Sequence, residues 1–335
     1  MRQESAKEQE REVSMAVKVI ERCELTLAAM SARDYAVLAR RATTALVALL
    51  RALDLPPRSE VLMPVTMCAN PANAVRWAGL RPLFADISPV TLNMDLEAAE
   101  RVVGPWTSVL LAVPLFGHPL DVPALLDFAG RHDLIVIEDA AQAVGLAYES
   151  RRAGSIGLCS VYSFGAGKIG DAGGGAALLS DDAGLMRRAR AELTKMPGGA
   201  YDMTRQAGRI LDALGGLPGE LEARGEMARR YREALQMPRI AHPDIPPGAP
   251  LWKYSVLLPN LDERDRVTRE LLSRGVQATN LYPPLMRFVA DFTNPMNSAR
   301  LRFPNAWDVG GRIVNLPLWP QPPGLLERVV GAFTA

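Results

Sequence analysis

Apolar and polar positions alternate in blocks along this chain, and the period of the blocks switches repeatedly. From Asp34 to Ala177, short contiguous apolar runs trade places with segments whose apolar residues recur at helical spacing. Ala42 to Leu53 predicts a helix rich in Ala and Leu, stopped by Asp54 and the Pro56-Pro57 pair. Glu60 to Pro64 predicts a short strand, Ala72 to Ala78 a helix closed by Gly79, and Leu83 to Ile87 another strand. Ser108 to Leu115 reads as a buried strand, Val122 to Arg131 as a helix, and Leu134 to Glu138 as a strand. That rhythm predicts parallel strands joined by crossover helices, hence an α/β doubly wound sheet. In such sheets ligands gather at the carboxyl ends of the strands.

The flanks read differently. Residues 1–33 form a charged helical arm whose modest apolar face is Ala16, Val17, Val19 and Ile20, suited either to a partner subunit or to solvent. Cys159 to Phe164 and Ala176 to Ser180 predict two further strands around a glycine-rich stretch, and Asp181 to Met196 predicts a helix. Met203 to Gln236 is helical with an expected interruption at Leu214 to Gly219. The proline-rich stretch HPDIPPGAP at 242–250 reads as a linker. A strand (Trp252 to Leu258), a helix (Glu263 to Arg274), a loop at Tyr282 to Pro284 and a closing strand and helix follow. The expected organisation is a helical arm at 1–33, a large domain at 34–240 and a small α+β domain at 241–335.

Composition narrows the partners. With 38 Lys+Arg against 37 Asp+Glu the formal charge is +1, which leaves no electrostatic footing for nucleic acid, so small molecules are the expected partners. The three cysteines and three histidines are scattered, so neither a disulfide framework nor a metal site is expected. The charged N-terminus lacks the apolar core of a signal peptide. The longest apolar runs, such as Val109 to Phe116, are too short to span a bilayer, so a cytoplasmic setting without membrane contact is expected.

Two stretches carry candidate chemistry. Leu134 to Gln142 runs a buried strand into the acidic pair Glu138-Asp139, where an aspartate can equally cap the next helix. Ser163 to Lys168 delivers a hydroxyl, flexible glycines and one lysine at the end of another strand. A P-loop does not fit, because Tyr162 stands where its first glycine belongs and Ile169 follows the lysine. Gly165, Gly167 and Gly170 match G-x-G-x-x-G, which would point to a nicotinamide oxidoreductase, but the pattern leads into a strand instead of opening a helix. An aspartate after one strand and a lysine in a glycine-rich loop after the next suit pyridoxal phosphate. The amine condenses with the aldehyde, and the carboxylate keeps the pyridine nitrogen protonated. Ala42, Thr43 and Thr44 offer the helix start that would hold its phosphate.

With these residues in view, the sequence resembles the DegT/DnrJ/EryC1/StrS family of sugar aminotransferases. The likeness is carried by Pro64 to Asp95, VPLFGHP at 113–119, IEDAAQAVG at 137–145, YSFGAGKIGDAGGGAALL at 162–179, Tyr282-Pro283 and IVNLPLWP at 313–320. It implies the aspartate-aminotransferase fold, with a mostly parallel seven-stranded type of sheet and a small C-terminal domain. It also implies pyridoxal 5'-phosphate as cofactor and a homodimer whose active site lies at the subunit interface. Carried over residue by residue, Lys168 becomes the Schiff-base lysine and proton shuttle, Asp139 the partner of the pyridine nitrogen, and Gln142 a neighbour of the phenolic oxygen. Ser163 and Thr43, with the backbone of Ala42 to Thr44, would hold the phosphate. Tyr282, Arg287, Arg205 and Arg209 are candidates for substrate contact.

Three positions depart from the family pattern. Cys68 stands where an aromatic residue often stacks on the ring, and Ala42 replaces a glycine. The partner-subunit asparagine expected near the phosphate aligns loosely with Asp202, whose charge would repel a phosphate, so either another residue takes that place or a cation such as Lys195 takes part. The implied activity is transfer of an amino group from L-glutamate or L-glutamine to a keto-sugar or related ketone. Two alternatives remain within the resemblance. One is a dehydratase or another pyridoxal-phosphate reaction, although dehydratase relatives tend to carry histidine in place of the lysine. The other is a binding or regulatory protein that has lost turnover.

Overall fold

The computed structural model describes residues 2–149, 151–196, 203–280 and 300–335. In chain order the elements are α1 (Arg2–Ser31), β1 (Tyr35–Ala39), α2 (Ala42–Ala52), β2 (Glu60–Pro64), α3 (Ala69–Trp77), β3 (Arg81–Ala85), α4 (Leu96–Glu100) and β4 (Thr107–Ala112). A tight turn at Leu115–Gly117 precedes α5 (Val122–Arg131) and β5 (Ile135–Asp139). A small hairpin, β6 (Ala147–Tyr148) and β7 (Arg151–Arg152), leads to β8 (Cys159–Ser163), β9 (Ala176–Ser180), α6 (Ala183–Lys195) and α7 (Thr204–Ala234). The remainder is β10 (Lys253–Leu257), α8 (Leu261–Ser273), α9 (Pro304–Arg312), β11 (Ile313–Pro317) and α10 (Leu325–Thr334).

Seven strands form one sheet in the order β1-β9-β8-β5-β4-β2-β3. From β3 to β8 all neighbours are parallel, while β9 runs antiparallel to both β8 and β1. The contiguous apolar runs follow from burial on both faces. Leu62, Leu110, Val136 and Leu179 face the layer containing α1, α5 and α7, whereas Val61, Met63, Val109, Leu111 and Leu178 face α2, α3 and α6. The chain leaves β2 for β3 on one side and returns to place β4 on the other. That change of direction makes the ends of β2 and β4 a switch point, where ligands gather in such sheets; Cys68 and Phe116 follow these two strands, and Asp139 ends the neighbouring β5.

A second core draws on Met227, Tyr231, Tyr254, Val256, Val329 and Phe333, so it begins inside α7 and ends in the last helix. Its two-stranded sheet pairs β10 with β11 antiparallel, Tyr254 opposite Leu316 and Val256 opposite Val314. No helix among the described residues is long and apolar enough to cross a membrane.

Three expectations are corrected here. The interruption at Leu214 to Gly219 is absent: α7 is one helix of 31 residues with Pro218 inside it. Packing overrides propensity, because Leu217 is buried in the first core and Leu214 and Leu221 pack against it. The arm at 1–33 is neither solvated nor reserved for a partner throughout, since Cys23, Leu27 and Ala28 are buried in this chain's own core. The strand expected at Leu83 to Ile87 runs instead at Arg81–Ala85, because its pairing with β2 sets Arg81 opposite Glu60.

His118, in the VPLFGHP stretch, shows how burial tunes stability. The residue is 1% exposed, Nδ1 lies 3.1 Å from the Thr91 carbonyl, and Nε2 has no hydrogen-bond partner among the described residues. Burial lowers its pKa from 6.5 to about 4, against the weaker pull of the Thr91 carbonyl. The unfolded chain therefore takes up this proton first as pH falls. Stability from neutral His118 is complete above pH 6.5 and is lost by about pH 4, up to about 3 kcal/mol. Urea unfolding of wild type and His118→Gln at pH 7 and pH 4.5 should show a steeper acid loss in the wild type.

Candidate active site

The loop between β8 and β9 presents Lys168 at the carboxyl edge of the sheet. Asp171 shapes it by accepting from the N–H of Gly167 (2.7 Å) and of Gly173 (2.7 Å). Gln206 on α7 donates to the Gly174 carbonyl at 2.7 Å and the Ala172 carbonyl at 3.2 Å. Gly175 has φ +85 and lies so close to Gln206 that an added Cβ would sit 2.9 Å from its Cγ. A side chain here would strain the turn and push the loop off the helix. The G-x-G-x-x-G match thus belongs to a strand-to-strand loop and opens no helix.

Lys168 is partly exposed along its length, yet its amine is deeply enclosed. Burial lowers its pKa, opposed by the neighbouring Cys68 and Asp139. Asp139, at the end of β5, is 8% exposed, and burial raises its pKa against a hydrogen bond from the Ala141 N–H and the charge of Lys168. Among the described residues its carboxylate accepts only that one hydrogen bond, at 3.2 Å, and it forms no ion pair with Lys168. Cys68, at the start of α3, feels both groups, and burial followed by Asp139 raises its thiol pKa. A protonated, poorly nucleophilic thiol is the consequence. Gln142 is 4% exposed, and its Oε1 accepts from the Phe116 N–H at 2.6 Å. That bond stabilises Phe116 at φ 58, a left-handed conformation rare for a bulky residue.

A cavity of about 540 Å³ lies beside this group, lined in part by Ala42, Thr43, Ser163 and Gly174. Helix α2 begins there with no side-chain cap, and the first intrahelical bond is donated by Ala45. The N–H groups of Ala42, Thr43 and Thr44 are left for an anion. Arg40, Arg41 and Arg209 line the same cavity, and no carboxylate does among the described residues.

The structure brings Lys168, Asp139 and Cys68 together and places Ala42, Thr43 and Ser163 on one cavity wall. The Thr44 hydroxyl is turned back to the Arg41 carbonyl at 2.8 Å, and Thr44 is not among the residues that line the cavity. Arg209 lines the cavity, whereas Arg205 is exposed and does not. Tyr282, Arg287, Tyr201 and Asp202 lie outside the described residues. Sequence reasoning missed Trp252, whose indole N–H donates to the Gly167 carbonyl at 2.6 Å and whose ring lies 4.0 Å from the Lys168 amine. Its position before a C-terminal strand carried no signal of contact with a loop so far upstream.

Comparison with known proteins places this geometry. Residues 4–333 match the DegT/DnrJ/EryC1/StrS aminotransferase family. A dTDP-4-dehydro-2,3,6-trideoxy-D-glucose 4-aminotransferase from Saccharopolyspora spinosa is 31% identical over 310 residues, covering 83% of this chain and 78% of that one. A GDP-perosamine synthase from Caulobacter vibrioides is 31% identical over 271 residues, covering 75% and 72%. Among solved structures, DesI in the presence of its TDP-sugar product aligns with TM-score 0.81 and 28% identity over 94% of this chain and 83% of its own. DesV of S. venezuelae, in complex with a ketimine intermediate, aligns with TM-score 0.81 and 26% identity over 98% and 95%. The chain therefore belongs to the DegT/DnrJ/EryC1/StrS aminotransferase family.

Proposed function

We propose that this chain is a pyridoxal-phosphate aminotransferase that moves an amino group from L-glutamate or L-glutamine onto a keto-sugar in a biosynthetic pathway. The observation that carries the reading is the enclosed pair Lys168 and Asp139, gathered around Cys68 at the strand ends with neither in an ion pair among the described residues. Those groups fit the cofactor. A pyridine ring between them would give Asp139 a cationic N–H to accept from, and Cys68 a face to cover. Thr43, Ser163 and the N–H groups of Ala42 to Thr44 would hold the phosphate, with the guanidinium of Arg209 nearby. Bound there, pyridoxal phosphate supplies an aldehyde for capture by an amine and an electron sink for a carbanion.

The residues divide the work. Lys168, whose pKa burial lowers, would accept a proton from the donor's α-carbon and return it. Asp139 would hold a proton on the ring nitrogen of a bound cofactor, and Gln142, fixed by the Phe116 N–H, would lie near its phenolic oxygen. The Saccharopolyspora spinosa and Caulobacter vibrioides relatives and DesI are named for dTDP-, GDP- and TDP-linked sugars, and this supports a sugar acceptor here. We propose as well a large domain followed by a small one, with α1 in the core of the first and the end of α7 in the core of the second, a homodimer that closes the site and a cytoplasmic setting. Tyr282 and Arg287 remain candidate substrate contacts.

The test is the visible spectrum of the protein with pyridoxal phosphate, followed by addition of L-glutamate. A band that bleaches as 2-oxoglutarate appears is expected; a protein that forms no band defeats the reading. Arg209→Ala should weaken capture of pyridoxal phosphate by about tenfold, from loss of one charge-assisted hydrogen bond, and leave capture of pyridoxal unchanged. Spectrophotometric titration with both aldehydes checks this, and equal losses would remove Arg209 from the phosphate.

A further inference from the structure

Tyr254, Val256 and Leu258 point into the second core, so the alternation of β10 turns Lys253 to the opposite face. That face meets the Leu115–Gly117 turn and Trp252. Trp252 is fixed from several directions. Its backbone N–H donates to the Phe116 carbonyl at 2.9 Å, and its ring stacks on Phe116 with centroids 6.2 Å apart. Arg224, buried on α7, donates to the Trp252 carbonyl at 3.0 Å and pairs with Glu220 at 2.7 Å. Glu220 in turn accepts from the Gly170 N–H at 3.2 Å, tying the same assembly to the Lys168 loop.

Two amines share the Trp252 indole: Lys168 Nζ lies 4.0 Å and Lys253 Nζ 5.7 Å from its centroid. Lys253 makes no hydrogen bond or ion pair among the described residues. Burial lowers its pKa first, and the neighbouring cations Arg224 and Lys168 lower it further. Arg224 is already committed to Glu220 and to two carbonyls, which leaves Lys253 as the uncommitted cation beside the reactive amine.

We propose that Lys253 is a substrate-binding residue that receives the α-carboxylate of the amino donor. The inference rests on the aminotransferase reading and adds a recognition point to it. An α-amino acid carries its carboxylate one carbon from its amine. A donor whose nitrogen takes the place of the Lys168 amine must therefore set its carboxylate next to Lys168. An anion there converts a set of neighbouring cations, poorly solvated and mutually repulsive, into a paired one. Trp252 keeps the two amines on one ring, so the anchor and the proton-moving group hold a fixed spacing.

The probe is glutarate, which has the donor's carboxylates and no amine, bound to the full-length protein loaded with pyridoxal phosphate. Calorimetry or the change in the cofactor's visible band reads its affinity. Lys253→Met is expected to weaken glutarate by about tenfold to a hundredfold, as for loss of a hydrogen bond to a charged group, and Lys253→Arg to restore most of it. In turnover, Lys253→Met should raise KM for glutamate more than it lowers kcat. Reaction of the band with n-propylamine, which lacks a carboxylate, should change far less in Lys253→Met than reaction with glutamate does. Equal glutarate affinity in Lys253→Met, or no glutarate binding to the loaded wild type, overturns the proposal. A wild type that forms no visible band defeats the aminotransferase reading, and the proposal with it.

Discussion

Lys168→Ala is expected to abolish the visible band on addition of pyridoxal phosphate and to reduce amino transfer by at least about 10²- to 10⁴-fold, the range for a lost general acid–base group. Two functions should vanish at once, because the proposed mechanism has the same amine capture the aldehyde and move the proton. The variant should fold, since the side chain fills no core: Lys168 lies on the loop between β8 and β9, and its neighbours Cys68, Asp139 and Trp252 are held by other bonds. Circular dichroism with a single-turnover assay separates the two outcomes. A variant that keeps the band would remove Lys168 from the chemistry. Lowering of the Lys168 pKa by burial also fixes a sign: the rate should fall as pH drops through that pKa, because the protonated amine cannot act as base.

Asp139→Asn separates electrostatics from cofactor capture. The amide has the same shape and can keep the hydrogen bond from the Ala141 N–H, but it cannot hold a proton on the ring nitrogen by charge. Band formation at Lys168 should persist, while kcat falls about 10²- to 10³-fold, as when one preorganised charge partner is removed. The cofactor-free variant should melt higher than wild type, because the substitution removes a buried carboxylate whose ionised form burial already disfavours. Stopped-flow spectra and thermal melts test the pair. A variant that loses both kcat and band formation would assign Asp139 to cofactor binding instead of ring electronics.

How far the chain declares itself depends on the range of the forces involved. The strands at Glu60–Pro64, Cys159–Ser163 and Ala176–Ser180 were legible because burial on both sheet faces writes itself as contiguous apolar runs. The helix starts at Ala42 and Val122 were legible from local periodicity and breakers. The first strand, Tyr35–Ala39, escaped notice because it earns its place only by pairing with Ala176–Ser180 from far downstream. Continuity of the long helix through Pro218 was equally hidden, since a local breaker is overruled by Leu217 in a core shared with α1.

The site divides along the same line. Sequence alone determined which residues could do the chemistry: an aspartate and a lysine at successive strand ends, and a helix start for a phosphate. Motif spacing along the backbone is local, so it survives without coordinates. Only the tertiary structure decided what surrounds them: Trp252 beneath the lysine, Arg209 on the cavity wall, and Lys253, unpaired among the described residues, beside Arg224 and Lys168. These groups meet through the packing of β10 and α7 against the glycine-rich loop. Contacts between segments so distant in sequence are set by how the two cores dock, and no local pattern of residues encodes that.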